Sequence, residues 1–145
     1  MQLVIGSDHG GYQLKEKLKD LLDELGVEYK DFGVDSLESV DYPDYGRQVA
    51  QAVAEGSYQR GILICGTGIG MSITANKVKG IRAALCHDVY SARMTRKHNN
   101  SNVLTLGARV IGIDLAKEIV KAWLEEDFDG GRHQRRIDKI SDLEE

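Results

Sequence analysis

A chain of 145 residues with 41% hydrophobic and 29% charged residues is that of an ordinary soluble globular protein, and a net charge of −4 argues against general nucleic-acid binding. Its apolar runs are too short to span a bilayer, and Met1-Gln2-Leu3-Val4-Ile5-Gly6 has no basic region followed by a cleavable apolar one. Two cysteines, Cys65 and Cys86, lack metal-site spacing and disulfide density, which points to a reducing, cytoplasmic setting.

Leu3-Val4-Ile5 predicts a buried strand ending in Gly6-Ser7-Asp8-His9-Gly10-Gly11. Leu14, Leu18, Leu21, Leu22 and Leu25 then recur at helical spacing until Gly26 stops the pattern. Val27 to Phe32 alternates as a second strand, and Gly33 to Tyr42 is loop-like. Pro43 opens a helix through Val49, Ala50, Val53 and Ala54.

A third strand, Gly61 to Cys65, runs into Cys65-Gly66-Thr67-Gly68-Ile69-Gly70 and a helix from about Met71 to Lys77. Ile81 to Cys86 predicts a fourth strand, Asp88 caps a helix reaching Lys97, and Val103 to Leu106 forms a fifth strand. Leu115, Ile119, Val120, Trp123 and Leu124 mark a last long helix. The tail from Phe128 is basic first and acidic last. No repeat or linker divides the chain, so one domain over 1–145 is expected.

Strands alternating with helices predict an α/β fold, a parallel sheet covered on both faces, with ligands beyond the carboxyl ends of the strands. Asp8, His9, Cys65 and His87 all follow strands. The glycine-rich stretch lacks the Lys-Ser/Thr of a P-loop, and Met71 stands where a dinucleotide fingerprint needs its third glycine. Its N–H groups can still hold a phosphate or stabilise an oxyanion.

Asp88 suits a helix cap better than a ribose contact. Cys86 reads as a small buried hydrophobe. Cys65 is either that or a reactive thiol, since a neighbouring helix N-terminus favours a thiolate. His98-Asn99-Asn100 fits a helix end and turn, and Arg132, Arg135 and Arg136 fit a solvated face. Taken together, these residues make a candidate C–H base, donors for a developing oxyanion, an acid–base histidine and phosphate-binding arginines. No HxxH, CxxC or carboxylate cluster suggests a catalytic metal.

The chain resembles the ribose-5-phosphate isomerase B family, which also includes galactose-6-phosphate isomerase subunits and allose-6-phosphate isomerases. The resemblance is carried by Ser7-Asp8-His9-Gly10-Gly11, Asp41-Tyr42-Pro43-Asp44-Tyr45, Cys65-Gly66-Thr67-Gly68-Ile69-Gly70-Met71-Ser72, Gly80-Ile81-Arg82-Ala83-Ala84, His98-Asn99-Asn100, Gly107-Ala108-Arg109 and Gly130-Gly131-Arg132-His133.

It implies a three-layer αβα sandwich, a Rossmann-like five-stranded parallel sheet with the first and third strands adjacent. It further implies a metal-free, cofactor-free aldose–ketose isomerase of the pentose phosphate pathway that interconverts ribose 5-phosphate and ribulose 5-phosphate. In that mechanism Cys65 moves the proton through a cis-enediolate, His98 opens the sugar ring and Thr67 assists at the substrate oxygens. The backbone of Gly66, Thr67, Gly68, Ile69 and Gly70 would cradle the enediolate. Asp8, His9 and Asn99 match sugar-binding positions, and Arg109, Arg132 and Arg136 match substrate positions, chiefly for the phosphate.

Family members are dimers or dimers of dimers with sites shared between subunits, and the segment from about 128 to 145 is expected at such an interface. Neither nucleic acid nor membrane is an expected partner. The competing readings are a six-carbon phosphosugar isomerase and a non-catalytic phosphosugar- or nucleotide-binding module.

Overall fold

The computed structural model describes residues 1–144. Its five strands, β1 (Gln2–Ser7), β2 (Glu28–Asp31), β3 (Arg60–Cys65), β4 (Ala83–Leu85) and β5 (Val103–Gly107), pair in parallel in the order β2-β1-β3-β5-β4. The helices are α1 (Tyr12–Glu24), α2 (Tyr42–Ala54), α3 (Ile69–Asn76), α4 (Val89–Asn99), α5 (Ile113–Glu125) and α6 (Arg132–Ser141). Among the described residues no helix is long and apolar enough to cross a membrane.

Side chains alternate across a strand, so each strand feeds both faces of the sheet. Leu3, Ile5, Ile62, Ile64, Leu104 and Leu106 pack with α1, α4 and α5 around the fully buried Trp123. Val4, Leu63, Cys65 and Val103 face α2 and α3, against Val49, Val53, Met71 and Ala75. The expected sandwich and the adjacency of the first and third strands are both present.

Each helix returns the chain to the amino edge of the sheet before the next parallel strand begins. Loops after strands therefore gather at the carboxyl edge, and helix ends gather at the amino edge. The strand order reverses between β1 and β3, the switch point where ligands bind in open α/β sheets. Asp8 and Cys65 flank that crevice, and the Asp8 N–H donates to the Ile64 carbonyl at 3.2 Å.

Several boundaries differ from expectation. The third helix starts at Ile69 rather than Met71, because Gly68 at φ +78° turns the chain directly into it. Ile69 and Gly70 therefore belong to the helix's first turn. The fourth strand is only Ala83–Leu85, because Ile81 is held in a turn by its N–H to the Val78 carbonyl at 3.1 Å. The tail, read from its charges alone, contains α6, which buries His133 and Ile137.

Lys15, one of the polar residues between the leucines of α1, is fully buried. Its ammonium donates to both Asp31 carboxylate oxygens at 2.7 and 2.8 Å and to the Val34 carbonyl at 2.7 Å. The ion pair ties α1 to the end of β2 and to the start of the loop that reaches the carboxyl edge.

Candidate active site

Cys65 ends β3 with 5% of its surface exposed, and its Sγ accepts a hydrogen bond from the Gly68 N–H at 3.1 Å. The contact requires the left-handed backbone at Gly68. A Cβ there would lie 2.6 Å from Leu85 Cδ1 and 2.8 Å from the Leu106 carbonyl carbon. Thr67 is exposed, and its Oγ1 accepts from the Ile69 N–H at 3.3 Å. The opening turn of α3 presents N–H groups without intrahelical acceptors, at the positive end of the helix dipole. Gly70 leaves room for Tyr42, whose ring edge would meet a Cβ at 2.4 Å.

The neighbouring strand ends complete a polar rim. Asp8 is buried and its Oδ1 accepts from the Gly11 N–H at 3.0 Å. His9 Nδ1 accepts from the Val40 N–H at 3.1 Å, which folds the loop 32–41 over this edge. Arg109 follows β5, and its N–H donates to the Gly66 carbonyl at 2.9 Å. A Cβ on Gly10 would stand 3.4 Å from Asp8 Oδ1 and 3.5 Å from both Arg109 Nη2 and the Gly66 nitrogen. Asp8, Gly66 and Arg109 thus meet around one glycine.

A cleft of about 500 Å³ takes in His9, Gly10, Gln13, Leu37 and Arg109, but it stops short of Cys65 and Thr67.

His98, Asn99, Arg132 and Arg136 lie elsewhere. His98 and Asn99 end α4 at the amino edge, where the Arg82 guanidinium, just before β4, donates to the Asn99 and Asn100 carbonyls at 2.9 Å each. Asn100 closes the helix in a left-handed conformation, as the asparagine there suggested. Arg96 Nη1 donates to the Ser101 carbonyl at 2.6 Å and to Asn100 Oδ1 at 2.9 Å. Burial, with Arg60 nearby, pulls the Arg96 guanidinium down to about 10, so it stays charged at neutral pH.

His133, quoted within a motif but given no role by sequence reasoning, stacks on His98 with ring centroids 4.3 Å apart and planes 11° apart. Burial, reinforced by His98, Arg132 and Arg136, lowers its pKa from the ordinary histidine value. Arg132 and Arg136 stand exposed one turn apart on α6, and Arg135 is exposed as expected.

Cys86 is 1% exposed, and burial with Asp88 nearby pushes its thiol up to about 12, an inert packing residue. The Asp88 carboxylate accepts from the Ser91 N–H at 2.6 Å and from its hydroxyl at 2.9 Å, the helix-cap role.

The predicted site thus divides into two halves. Asp8, His9, Cys65 to Gly70 and Arg109 share the carboxyl edge; His98, Asn99, Arg132 and Arg136 share the amino edge. In register, Gly61 pairs with Val103 and Cys65 with Gly107, so the edges differ by roughly 13 Å at about 3.3 Å per residue.

Residues 3–140 match the model of the family described as Ribose/Galactose Isomerase. The chain belongs to the ribose/galactose isomerase family. Among its relatives, ribose-5-phosphate isomerase B of Escherichia coli is 51% identical, over 99% of this chain and 97% of that protein. The D-erythrulose-4-phosphate isomerase of Pectobacterium atrosepticum is 50% identical, over 97% of this chain and 93% of that protein. A solved structure of Clostridium thermocellum ribose-5-phosphate isomerase B superposes with a TM-score of 0.97 at 57% identity, covering 99% of this chain and 97% of that one. The family's fold therefore extends over the whole described chain, both half-sites included.

Proposed function

We propose that this protein is an aldose–ketose isomerase that interconverts D-ribose 5-phosphate and D-ribulose 5-phosphate. The observation that carries the chemistry is the Cys65 thiol held 3.1 Å from the Gly68 N–H at the head of α3. A hydrogen on carbon adjacent to a carbonyl is a weak acid, so a base succeeds only where the oxyanion is stabilised as it forms. A thiol directly before a turn of N–H donors meets both needs, and one such donor is worth about 2.7–4 kcal/mol.

In the open-chain aldose, Cys65 takes the C2 proton, the C–H electron pair becomes the C1–C2 double bond, and the carbonyl pair moves onto O1. The cis-enediolate is held by the backbone of the Gly66–Gly70 turn, where the Gly68 N–H is already on Cys65 Sγ and the Ile69 N–H on Thr67 Oγ1, leaving the remaining N–H groups for the oxyanion. Cys65 returns the proton to C1, the O2 proton passes to O1 with the help of Thr67, the O2–H electron pair becomes the C2 carbonyl, and the ketose results. Asp8, His9 and Asn99 hold the sugar hydroxyls. Arg109, Arg132 and Arg136 hold the phosphate, whose binding energy orients the reacting carbons.

His98 opens the furanose ring, and it reaches Cys65 from a second copy of the chain. A C2 dimer, alone or paired into a dimer of dimers, places the amino-edge half of one subunit on the carboxyl-edge half of the other. On this reading residues 1–145 form one phosphosugar isomerase domain acting in the cytoplasm, and the segment from about 128 to 145 sits at the subunit interface.

Cys65→Ala tests the assignment. Isomerisation and solvent deuterium incorporation at the transferred carbon should both disappear; full exchange in the variant would place the base elsewhere. The wild-type enzyme is assayed on four-, five- and six-carbon aldose phosphates, and kcat/KM is expected to be highest for ribose 5-phosphate.

A further inference from the structure

Two imidazoles and a carboxylate converge at the amino edge, one from the end of α4 and two from the turn that opens α6. His98 closes α4, His133 lies in the first turn of α6, and the Asp129 N–H donates to the Lys97 carbonyl at 3.0 Å. One ligand atom from each of His98, Asp129 and His133 lies within 4.8 Å of the other two. Gly130 and Gly131, at φ +69° and +57°, provide the turn that brings Asp129 and His133 back onto the end of α4. With ligands at positions 98, 129 and 133, the group has no short-motif spacing, and sequence reading passes over it.

We propose that His98, Asp129 and His133 form a binding site for a borderline divalent transition metal, of the Zn²⁺ and Co²⁺ class, and that its occupancy reversibly inhibits the isomerase. The inhibitory half rests on the ring-opening role given to His98 above, since a nitrogen bound to metal cannot exchange a proton with the sugar.

Two imidazole nitrogens and one carboxylate oxygen suit Zn²⁺ and its neighbours, whereas Mg²⁺ and Ca²⁺ prefer all-oxygen shells. Tetrahedral bonds of about 2.0 Å place ligand atoms roughly 3.3 Å apart, so a small swing of the stacked rings and of the exposed Asp129 side chain closes the set. Three protein ligands leave one position open, the arrangement of an exchangeable site rather than a structural one. Arg132 and Arg136 on α6 oppose a cation, while the Asp129 carboxylate offsets part of that charge.

The test uses the chelator-stripped full-length enzyme, titrated with Co²⁺ while its visible ligand-field absorption is recorded, and with Zn²⁺ while ribose 5-phosphate turnover is followed. The expected result is saturable Co²⁺ absorption without a sulfur-to-metal charge-transfer band, together with Zn²⁺ inhibition that chelator reverses. Asp129→Asn should keep its metal-free activity and weaken both the Co²⁺ signal and the Zn²⁺ inhibition by at least about tenfold. His133→Gln should lose the Co²⁺ signal to a similar extent.

No saturable binding, an Asp129→Asn response equal to wild type, or a charge-transfer band assigning the metal to Cys65 overturns the site. Three-ligand binding that leaves turnover intact overturns the inhibitory half alone. A stripped enzyme without isomerase activity overturns the functional reading and the inhibition, while the Co²⁺ spectra still decide the site.

Discussion

If each active centre joins the carboxyl edge of one chain to the amino edge of another, two inactive variants should repair each other. Cys65→Ala removes the base, and His98→Asn removes the ring-opening acid and base, a loss of about 10²–10⁴-fold on cyclic substrate. Within one chain the two residues are separated along the strand axis by the roughly 13 Å between sheet edges, which no rotamer change spans. A hybrid of the two variants contains one centre with both lesions and one with neither. Purified hybrids should then recover about half of wild-type activity, and a random equal mixture about a quarter.

The assay needs two affinity tags, tandem purification to isolate hybrids, mass spectrometry to verify their composition, and the coupled assay on ribose 5-phosphate. Verified hybrids no more active than their parents would refute the division of the site between subunits, because a site confined to one chain carries a lesion in every molecule.

Three further substitutions test other parts of the argument. Asp31→Asn leaves the fully buried Lys15 ammonium without its carboxylate and should cost about 2–4 kcal/mol in denaturant unfolding, less than a fully buried pair because Asp31 is a quarter exposed. Burial pushes the Asp31 carboxyl up, but hydrogen bonds from Lys15, Lys19 and the Gly33 N–H outweigh it and hold the group below the usual carboxylate value. Its contribution is therefore present above the unfolded-state value of about 4 and is lost as pH falls through the lower folded-state value. The wild type should lose this stability in acid, and a parallel loss in Asp31→Asn would contradict the assignment.

Gly68→Ala combines a left-handed backbone with a Cβ 2.8 Å from the Leu106 carbonyl carbon. A cost of about 2–4 kcal/mol and a lower kcat are expected, checked by thermal unfolding and steady-state kinetics. Arg132→Ala should raise KM for ribose 5-phosphate with little change in kcat, and an unchanged KM removes it from the phosphate site.

The architecture was legible because alternating strand and helix patterns impose a parallel sheet, and a parallel sheet places every strand-following residue at one edge. Asp8, His9 and Cys65 were therefore placed by chain order alone, whereas Arg109 was reached only through the family resemblance. α6 was obscured by charge: Arg132, Arg135 and Arg136 dominate a stretch whose helical signal is the spacing of His133, Ile137 and Ile140. Lys15 could not be recognised as buried, since its burial depends on Asp31 arriving from β2.

The partnership of His98 with His133 depends on α6 packing against α4, a tertiary contact with no local signature. The same parallel rule that gathers the thiol and its N–H donors at the carboxyl edge sends the end of α4, and His98 with it, to the opposite edge. If Cys65 is the base and His98 opens the ring, as proposed, folding of one chain does not bring the two together. On that proposal a second copy supplies the missing half, and residues that order the amino edge, Arg82 and Arg96 among them, serve the partner's thiol rather than their own.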